Sequence, residues 1–312
     1  MAAGIDKSGH SLNKSKYYAA AMTAFTIWGF FSLVLKPIHE YASADILFYR
    51  VFSSAILMLL IAFLFKRKKL KETVRVFKSL PKNKKRETIW LNIAGSIFLT
   101  GNWFSFIYVM NHISIKATSL AYMICPILTT LLAFFILHEK LSRLQWMSVG
   151  LSVVGCLLLS YADLKDMYFS MIIGFSYACY LVSQRINTGF DTFIVLCFHI
   201  GLSSLILLPF YHAYSGNLPT EFKFYAYIGI IAVFFTLLPL FLNLFALTGI
   251  DSSIVGMLLN INPVIAFILA TAVYHEPISL LQIIAYSIIF ISVIVFNGKE
   301  IFIRKEKLPD LS

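Results

Sequence analysis

Charged side chains are scarce in this chain. Asp, Glu, Lys and Arg make up 13% of its 312 residues, whereas 59% are hydrophobic, and a soluble domain carries roughly 25% charged residues. A water-soluble fold could not bury this much apolar surface, so lipid must cover much of it. The sequence also lacks glycine-, proline- or serine-rich linkers and low-complexity tracts. We therefore expect one membrane domain with short tails.

Motifs of cofactor and metal chemistry are missing as well. The four cysteines show no C-x-x-C spacing and predict small core residues rather than disulfides or metal ligands. No G-x-x-x-x-G-K-[ST] loop occurs, which argues against ATP-driven transport by this chain alone. Two His-Glu pairs resemble the start of H-E-x-x-H, but a serine stands where the second histidine would be, so a zinc protease site is excluded. We expect no cofactor and no metal.

The apolar residues are arranged in long continuous runs. A helix that crosses the membrane needs about 20 consecutive apolar residues, and strands would show an alternation that these runs lack. The sequence therefore predicts an all-α integral membrane protein with ten transmembrane helices. The ten predicted spans are 17–36, 45–65, 89–110, 115–137, 143–161, 167–185, 192–213, 223–247, 252–274 and 279–297. Span 167–185 differs from the others in being rich in Ser, Tyr and Cys.

Basic residues concentrate between the second and third predicted spans. Residues 66–87 contain eleven Lys or Arg and only two acids, Glu72 and Glu87. Such a stretch stays in the cytoplasm, so both tails, 1–16 and 299–312, are predicted to be cytoplasmic in a protein of the inner membrane. We interpret 66–88 as a solvated cytoplasmic loop, with a lipid-headgroup or regulatory site as the alternative. The net charge of +11 reflects this asymmetry, and no folded basic surface for nucleic acid is evident.

One segment of the chain occurs twice, 137 residues apart. The matching positions are Pro126 and Pro263, His138-Glu139 and His275-Glu276, Ser142 and Ser279, and Gln145 and Gln282. The repeat divides the chain into 17–161 and 162–298, with five spans each. Since five is odd, the second half enters the membrane inverted. Inverted repeats of transporters enclose a substrate site near the midplane, so we expect a central cavity between the halves.

Polar side chains inside the predicted spans are costly in lipid and should face protein or water. Arg50 is the only cation clearly inside a span. One interpretation is that Arg50 lines the outer half of the cavity and binds an anionic group such as a carboxylate. The alternatives are a structural ion pair with Asp45 or Glu40, or snorkelling to the outer surface.

Three further side chains lie deep in predicted spans. Asn102 is near mid-depth of the third span, where it either bonds a neighbouring helix or faces the cavity. Trp28 and Trp103 are also inside spans rather than at the interface that tryptophan favours. They are predicted either to pack tightly or to stack on a substrate.

Prolines inside the spans predict helix kinks at Pro126, Pro239 and Pro263. A mid-helix proline frees the carbonyl one turn back, and freed carbonyls and amides suit a polar substrate inside a bundle. The candidate substrate contacts near these prolines are Tyr122, Asn243, Asn260 and Asn262. The alternative is that the Asn side chains satisfy the freed backbone groups.

Glu139, Glu276 and His199 are the candidates for a gate or a proton site. The two glutamates are predicted to lie at helix ends near lipid headgroups, where Ser142 and Ser279 would cap the next helix, and gating is the alternative. His199 lies in the seventh predicted span. Histidine can titrate near neutral pH, and an internally bonded core histidine is the alternative.

Small residues form a stripe in the fifth predicted span, at Ser148, Ser152 and Cys156. Such a stripe lets two helices approach closely. It predicts packing within the chain or, alternatively, a contact in a homodimer.

Several stretches, taken in order, resemble a known family. They are Trp28-Gly29, Asp45–Arg50, Asn102-Trp103 with Tyr108 and Asn111, Ala117–Tyr122 through Pro126, Glu139–Ser142 with Gln145-Trp146, Thr236–Pro239 and Glu276–Ser279. The chain resembles EamA-domain members of the drug/metabolite transporter superfamily, within the RarD-like branch, over about 17–297. The resemblance implies ten helices, a central cavity, and export or exchange of small metabolites or drugs.

We therefore expect a secondary transporter that exports or exchanges small metabolites, such as amino-acid-like or aromatic compounds or drugs, by alternating access. Its partners would be membrane lipid and a small-molecule substrate, not nucleic acid. The alternative is an intramembrane enzyme acting on lipid or prenyl groups. Such an enzyme usually needs clustered acids or histidines, and here the acids are scattered.

Overall fold

The computed structural model of the chain describes residues 10–113, 115–160, 164–216, 218–275 and 278–302. These ranges contain fourteen α-helices, one 3-10 turn (Lys36–Ile38) and one π-helical segment (Ile231–Leu237), and no β-strand. The first half forms α1 (His10–Gly29), α2 (Phe31–Leu35), α3 (Ser43–Leu64), α4 (Arg67–Ser79), α5 (Lys82–His112), α6 (Ile115–Leu137) and α7 (Arg143–Ser160). The second half forms α8 (Leu164–Ile186), α9 (Thr192–Tyr214), α10 (Phe222–Ile230), α11 (Leu238–Leu247), α12 (Ser252–Leu258), α13 (Ile261–Ala272) and α14 (Leu280–Phe302).

Seven helical stretches in the described part are long and apolar enough to cross a membrane. They are Ser43–Leu64, Lys82–His112, Thr118–Leu137, Thr192–Tyr214, Phe222–Leu247, Ser252–Ala272 and Leu280–Gly298. The pair α1 and α2 makes an eighth if counted as one span, with a bend of 41° between them. The chain is therefore an all-helical, multi-pass membrane protein.

The other two predicted spans are helical but do not meet the same test. The apolar part of α7, Arg143–Leu159, is short for a span. α8 has 23 residues, but Ser, Tyr and Gln side chains interrupt its apolar residues, and it packs extensively against α5 and α6. Its residues Ser170, Tyr177 and Gln184 are buried. On its other side Met171, Ile172 and Phe175 are exposed, so α8 keeps an apolar surface outward and shelters its polar residues inside the bundle.

The basic stretch 66–88 is mostly helical, which corrects the predicted loop. α4 occupies Arg67–Ser79 and α5 begins at Lys82. Leu70 and Phe77, two turns apart on one side of α4, are half-buried, whereas most of its basic residues are exposed. The stretch is therefore an amphipathic helix followed by a basic extension of α5, a pattern typical of helices at a membrane surface.

We call the end of the bundle that carries α4 the basic face. Lys66 Nζ lies 5.9 Å from the centre of the Phe193 ring at the start of α9, so α9 begins at this face. Lys16 Nζ of α1 lies 5.9 Å from the centre of the Phe245 ring near the end of α11, so the start of α1 and the end of α11 lie together. The end of α6 and the starts of α5 and α12 also lie at this end. The opposite face carries α2 and the starts of α3, α6 and α14.

The three prolines affect their helices differently. Pro126 lies inside α6, which no break interrupts. Pro239 is the second residue of α11 and directly follows the π-helical segment. Pro263 is the third residue of α13, and the break between α12 and α13 comes just before it. Because a proline cannot donate an N–H to the carbonyl four residues back, regular helix is interrupted ahead of Pro239 and Pro263.

The two copies of the repeated segment share their backbone geometry. His138 and His275 both have a φ of 54°, and they are the only non-glycine residues with positive φ in the described part. After each of them a serine and a glutamine cap the next helix reciprocally. The N–H of Ser142 donates to Gln145 Oε1 at 2.9 Å and the N–H of Gln145 to Ser142 Oγ at 3.3 Å, and Ser279 and Gln282 make the same pair of bonds at 2.9 and 3.2 Å.

Small residues bring helices close together at two points. A Cβ added to Gly256 of α12 would lie 2.7 Å from Cβ of Thr129 in α6. At the second point, Ser152 Oγ of α7 lies 2.8 Å from Ser292 Oγ of α14. The small residues of α7 thus pack on α14. Of the two alternatives for this stripe, packing within the chain and a contact in a homodimer, the structure shows the first.

We expect Gly256→Ala to destabilise the protein, because its added methyl group would overlap Thr129 and push α6 and α12 apart. Overpacking of this kind costs about 1–3 kcal/mol, so the unfolding temperature in detergent should fall. Gly101→Ala is the matched control, since no atom lies within 4 Å of its added Cβ, and should not lower that temperature. Equal unfolding temperatures for the two variants would contradict the close contact.

Candidate functional site

A cavity of about 1250 Å³ lies between the two halves of the chain. Small-molecule sites usually measure about 300–1,000 Å³, so this cavity has room for a metabolite. It extends from aromatic residues in the centre of the bundle to helix ends at the opposite face, where Ser43, Leu159 and Asp166 lie. None of the described lining residues belongs to a helix end at the basic face. The cavity therefore reaches one face only.

Trp28 and Tyr177 form an aromatic wall whose rings are held by hydrogen bonds. Trp28 Nε1 donates to the carbonyl of Phe235 at 2.8 Å. This carbonyl lies four residues before Pro239, which has no N–H to donate to it. Asn243 Nδ2 donates to the Tyr177 hydroxyl at 2.8 Å, and the rings of Trp28 and Tyr177 meet edge to face with centroids 6.2 Å apart. Asn243 is fully buried and does not line the cavity, so its described role is to position Tyr177.

Arg50 of α3 lines the cavity beside two aromatic rings. Its Cζ lies 5.3 Å from the centre of the Trp103 ring and 5.9 Å from that of Phe31, distances at which a cation and a π-system attract. Its Nε is buried without a hydrogen-bond partner. Among the described residues, none forms a hydrogen bond or an ion pair with this guanidinium.

The two acids that were alternatives for pairing with Arg50 are engaged elsewhere. Asp45 Oδ1 accepts a hydrogen bond from Ser215 Oγ at 2.6 Å. Glu40 Oε1 lies 3.3 Å from Lys223 Nζ. The structure therefore does not show the alternative of a structural ion pair between Arg50 and Asp45 or Glu40.

The other predicted amides occupy three different environments. Asn262 lines the cavity. Asn102 touches it but is only 2% exposed, and its Nδ2 donates to the carbonyl of Ile173 at 2.9 Å, which joins α5 to α8. Asn260 is fully buried outside the lining, and neither of its amide atoms has a partner in the described part. In this conformation Asn102 serves as a helix–helix contact, and Asn260 is not accessible to a substrate.

Of the remaining predicted residues, Trp103, Tyr122 and Pro263 line the cavity, whereas Pro126 and Pro239 do not. Sequence reasoning missed six aromatic lining residues, which are Phe31, Phe106, Tyr177, Phe235, Phe267 and Tyr286. In a chain with 16% aromatic residues, ring type alone does not separate a cavity wall from a lipid-facing surface. Only Tyr177 carried a signal, because its span is unusually polar.

Glu139 joins the two halves at the basic face. Its carboxylate accepts four hydrogen bonds, from the N–H and hydroxyl of Ser252 at 2.8 and 2.7 Å and from those of Ser253 at 3.1 and 2.5 Å. These bonds attach the corner after α6 to the start of α12. Glu276, the counterpart of Glu139 in the repeat, lies outside the described residues.

Arg185 makes a second connection at the basic face. From the end of α8 it donates to the carbonyl of Leu247 at 2.7 Å and to the carboxylate of Asp251 at 3.1 Å. Both acceptors lie at the junction of α11 and α12. Together with the bonds of Glu139, this contact joins helix ends at the basic face, where no described lining residue of the cavity lies.

His199 lies away from the cavity. It is fully buried, its Nδ1 is 3.4 Å from the Tyr180 hydroxyl, and its Nε2 has no partner in the described part. In the same part of the chain, no group of three His, Cys, Asp or Glu residues could hold a metal ion.

Comparisons with known proteins agree with one another. The model of the EamA-like transporter family matches residues 15–161 and, separately, residues 165–298. The uncharacterized transporter YojE of Bacillus subtilis is 27% identical over 288 residues, which cover 89% of this chain and 92% of YojE. Protein RarD of Salmonella typhi is 25% identical over 290 residues, which cover 92% of this chain and 96% of RarD.

The fold also has a solved counterpart. One crystal structure superposes with a TM-score of 0.72 and covers 94% of this chain and 99% of its own. The sequence identity is 13%, so this likeness concerns the fold alone.

We expect substitution by leucine to lower the stability of the protein at Asn102 but not at Asn260. Asn102→Leu removes a bond between helices, and such bonds in membranes contribute about 0.6 kcal/mol on average and up to about 1.7, so the unfolding temperature in detergent should fall. Asn260→Leu replaces an amide with two unpaired atoms by an apolar side chain, so the temperature should stay or rise. An equal fall for both variants would contradict the difference in hydrogen bonding.

Proposed function

The chain belongs to the EamA-like transporter family, and the RarD proteins are among its relatives. On this basis we propose that it is a secondary transporter that works by alternating access. It would export or exchange small metabolites across the inner membrane. The observation that carries the proposal is the cavity between the halves, which reaches one face while polar contacts close the other. The EamA-like transporter family and the relative YojE, named as an uncharacterized transporter, support the general role of a membrane transporter.

Contacts between helices support an arrangement of ten spans in two inverted repeats, 17–161 and 162–298. In such a repeat α1 corresponds to α8, α5 to α10–α11, and α6 to α12–α13. The contact of α6 with α8 then corresponds to that of α1 with α12 and α13, and the contact of α5 with α8 to that of α1 with α11; all of these occur. α3 contacts its counterpart α9, and α7 contacts its counterpart α14. The two separate family matches favour the same division.

The distribution of charge supports a cytoplasmic location for the basic face and for both termini. Residues 66–86 hold eleven basic side chains, of which Lys69 and Lys84 pair with Glu72 and Glu87. The remaining nine have no acidic partner among the described residues. Segments of this kind stay in the cytoplasm, so the cavity would open to the outside.

The cavity favours a small amphipathic substrate. Most of its described lining is aromatic or aliphatic, with a few amides, hydroxyls and charges interspersed. Ligand sites with this character bury an apolar body and orient it through a small number of polar contacts. Amino-acid-like or aromatic compounds, and drugs of similar size, fit this description.

The repeat identifies residues that would line the cavity when the basic face opens. Tyr122 lines the present cavity, and the 137-residue shift places Leu259 at its equivalent, which is fully buried. Asn260 is next to Leu259 and has an unpaired amide. Opening at the basic face would expose both, and water or substrate would then satisfy the Asn260 amide. This is the conformation in which we propose Asn260 as a substrate contact.

The inverted repeat predicts opposite sides for its two histidine corners. His138 and His275 are both exposed, so single cysteines at these positions can be labelled without unfolding the protein. In intact cells a membrane-impermeant maleimide should react at position 275 and not at position 138. Reaction at both positions, or at neither, in intact cells would contradict the inverted arrangement.

We expect Glu139→Gln to open the basic face. The amide nitrogen of glutamine cannot accept the bonds that Ser253 donates, and hydrogen bonds to a charged group contribute about 1.5–3 kcal/mol. The equilibrium should therefore shift about tenfold or more toward the inward-open state. A cysteine at position 259 should react faster with maleimide in the Glu139→Gln variant, and a cysteine at position 122 should react more slowly.

Glu72→Gln is the matched control, because it removes an acid from an exposed ion pair at the same face. It should change neither rate. If Glu139→Gln speeds the reaction at 259 and leaves 122 unchanged, the basic face opens locally and alternating access is contradicted.

A further inference from the structure

Arg50 is the least explained charge in the molecule. Among the described lining residues of the cavity it is the only cation, and Asp166 is the only acid. Charged side chains inside a membrane are costly and, where they persist, pair with protein groups or mark the path of a substrate or an ion. Pairing with protein is absent from the described part, because Asp45 and Glu40 are bonded to other residues.

The chemistry of the guanidinium defines what would complete it. Arginine presents planar, forked N–H donors that match the two oxygens of a carboxylate. The Nε–H of Arg50 is buried with no acceptor in the described part, while the ring faces of Trp103 and Phe31 occupy its surroundings. Aromatic rings stabilise the cation but accept hydrogen bonds poorly. An anionic acceptor that enters through the cavity would supply what the protein does not.

The arrangement of charges also limits the net charge of the ligand. Asp166 is in the first turn of α8, and Tyr177 follows it by eleven residues, which corresponds to about 16 Å along the helix axis. Tyr177 belongs to the central wall, so Asp166 lies toward the open end of the cavity. A zwitterionic amino acid bound to Arg50 by its carboxylate would leave its ammonium group without a carboxylate beside it among the described lining residues. A second negative charge on the ligand would likewise find no cation besides Arg50 in that part of the lining.

We propose that the carried molecule is a small organic monoanion, a carboxylate on a planar apolar body. Its carboxylate binds Arg50, and its apolar body lies against the rings of Trp28, Trp103 and Tyr177. This proposal rests on the proposed transport function and narrows its substrates, since ordinary zwitterionic amino acids and neutral drugs fit less well.

The test compares metabolites inside and outside cells that lack the protein or express it as wild type, Arg50→Gln, Arg50→Lys or Arg143→Gln. Arg143 is exposed at the start of α7, so Arg143→Gln removes the same charge outside the cavity. The compounds whose distribution depends on the wild-type protein should be monocarboxylates. Arg50→Gln should reduce this effect at least tenfold, Arg50→Lys should retain part of it, and Arg143→Gln should leave it unchanged.

A second measurement follows the unfolding temperature of the purified protein with a matched pair of probes, 3-phenylpropanoate and 3-phenylpropanamide. It also detects variants that fail to fold. The carboxylate should raise the unfolding temperature of the wild type more than the amide does, and this difference should vanish in Arg50→Gln. Transported compounds that are neutral or cationic, or carboxylate transport that survives Arg50→Gln, would overturn the anion proposal and leave the transporter intact. A wild type that changes the distribution of no compound would overturn the proposed transport function itself.

Discussion

Inside a bilayer, a backbone group that loses its helical partner has to find another one within the protein. The carbonyl of Phe235, four residues before Pro239, meets this requirement through the indole N–H of Trp28. That bond connects α1 of the first half to the π-helical segment of the second, and it orients the Trp28 ring. The Tyr177 ring packs against it and is held in turn by Asn243. The central wall of the cavity therefore follows from one proline and the bond that compensates for it.

The polar groups of the two faces are satisfied to different degrees. At the basic face, Glu139 has four donors and Arg185 has two acceptors. Toward the cavity, Arg50 Nε and Thr236 Oγ1 are buried without partners in the described part. Natural proteins depart from full satisfaction of their polar groups mainly where function requires it. The bonds of Glu139 and Arg185 are thus complete within the protein, whereas the unpartnered Arg50 supports the proposal that the cavity binds a ligand.

Most of the architecture could be predicted from the sequence, because long apolar runs and basic loops follow directly from the physics of the bilayer. All ten predicted spans fall on helices. The helix α4 was missed because its apolar residues form a narrow stripe rather than a run.

The candidate site was less predictable than the fold. Arg50 was identified because a lone charge in an apolar run is conspicuous, but its lack of a partner required coordinates. That Asn243 and Asn260 lie outside the present cavity could not be predicted, because successive helical residues differ by about 100° in direction, and the sequence does not fix which direction faces the cavity. The bonds of Glu139 to a serine 113 residues away left no local signal.

The uninterrupted α6 and the broken pair α12 and α13 carry the same repeated pattern around Pro126 and Pro263. One pattern is thus present in two shapes within a single molecule, an uninterrupted helix in the first half and a divided one in the second. An exchange of shapes, in which α6 divides and α12 joins α13, would yield the mirror state with the vestibule turned to the other compartment. The protein would then need no third conformation to complete a cycle, because each half already displays the form that the other must adopt.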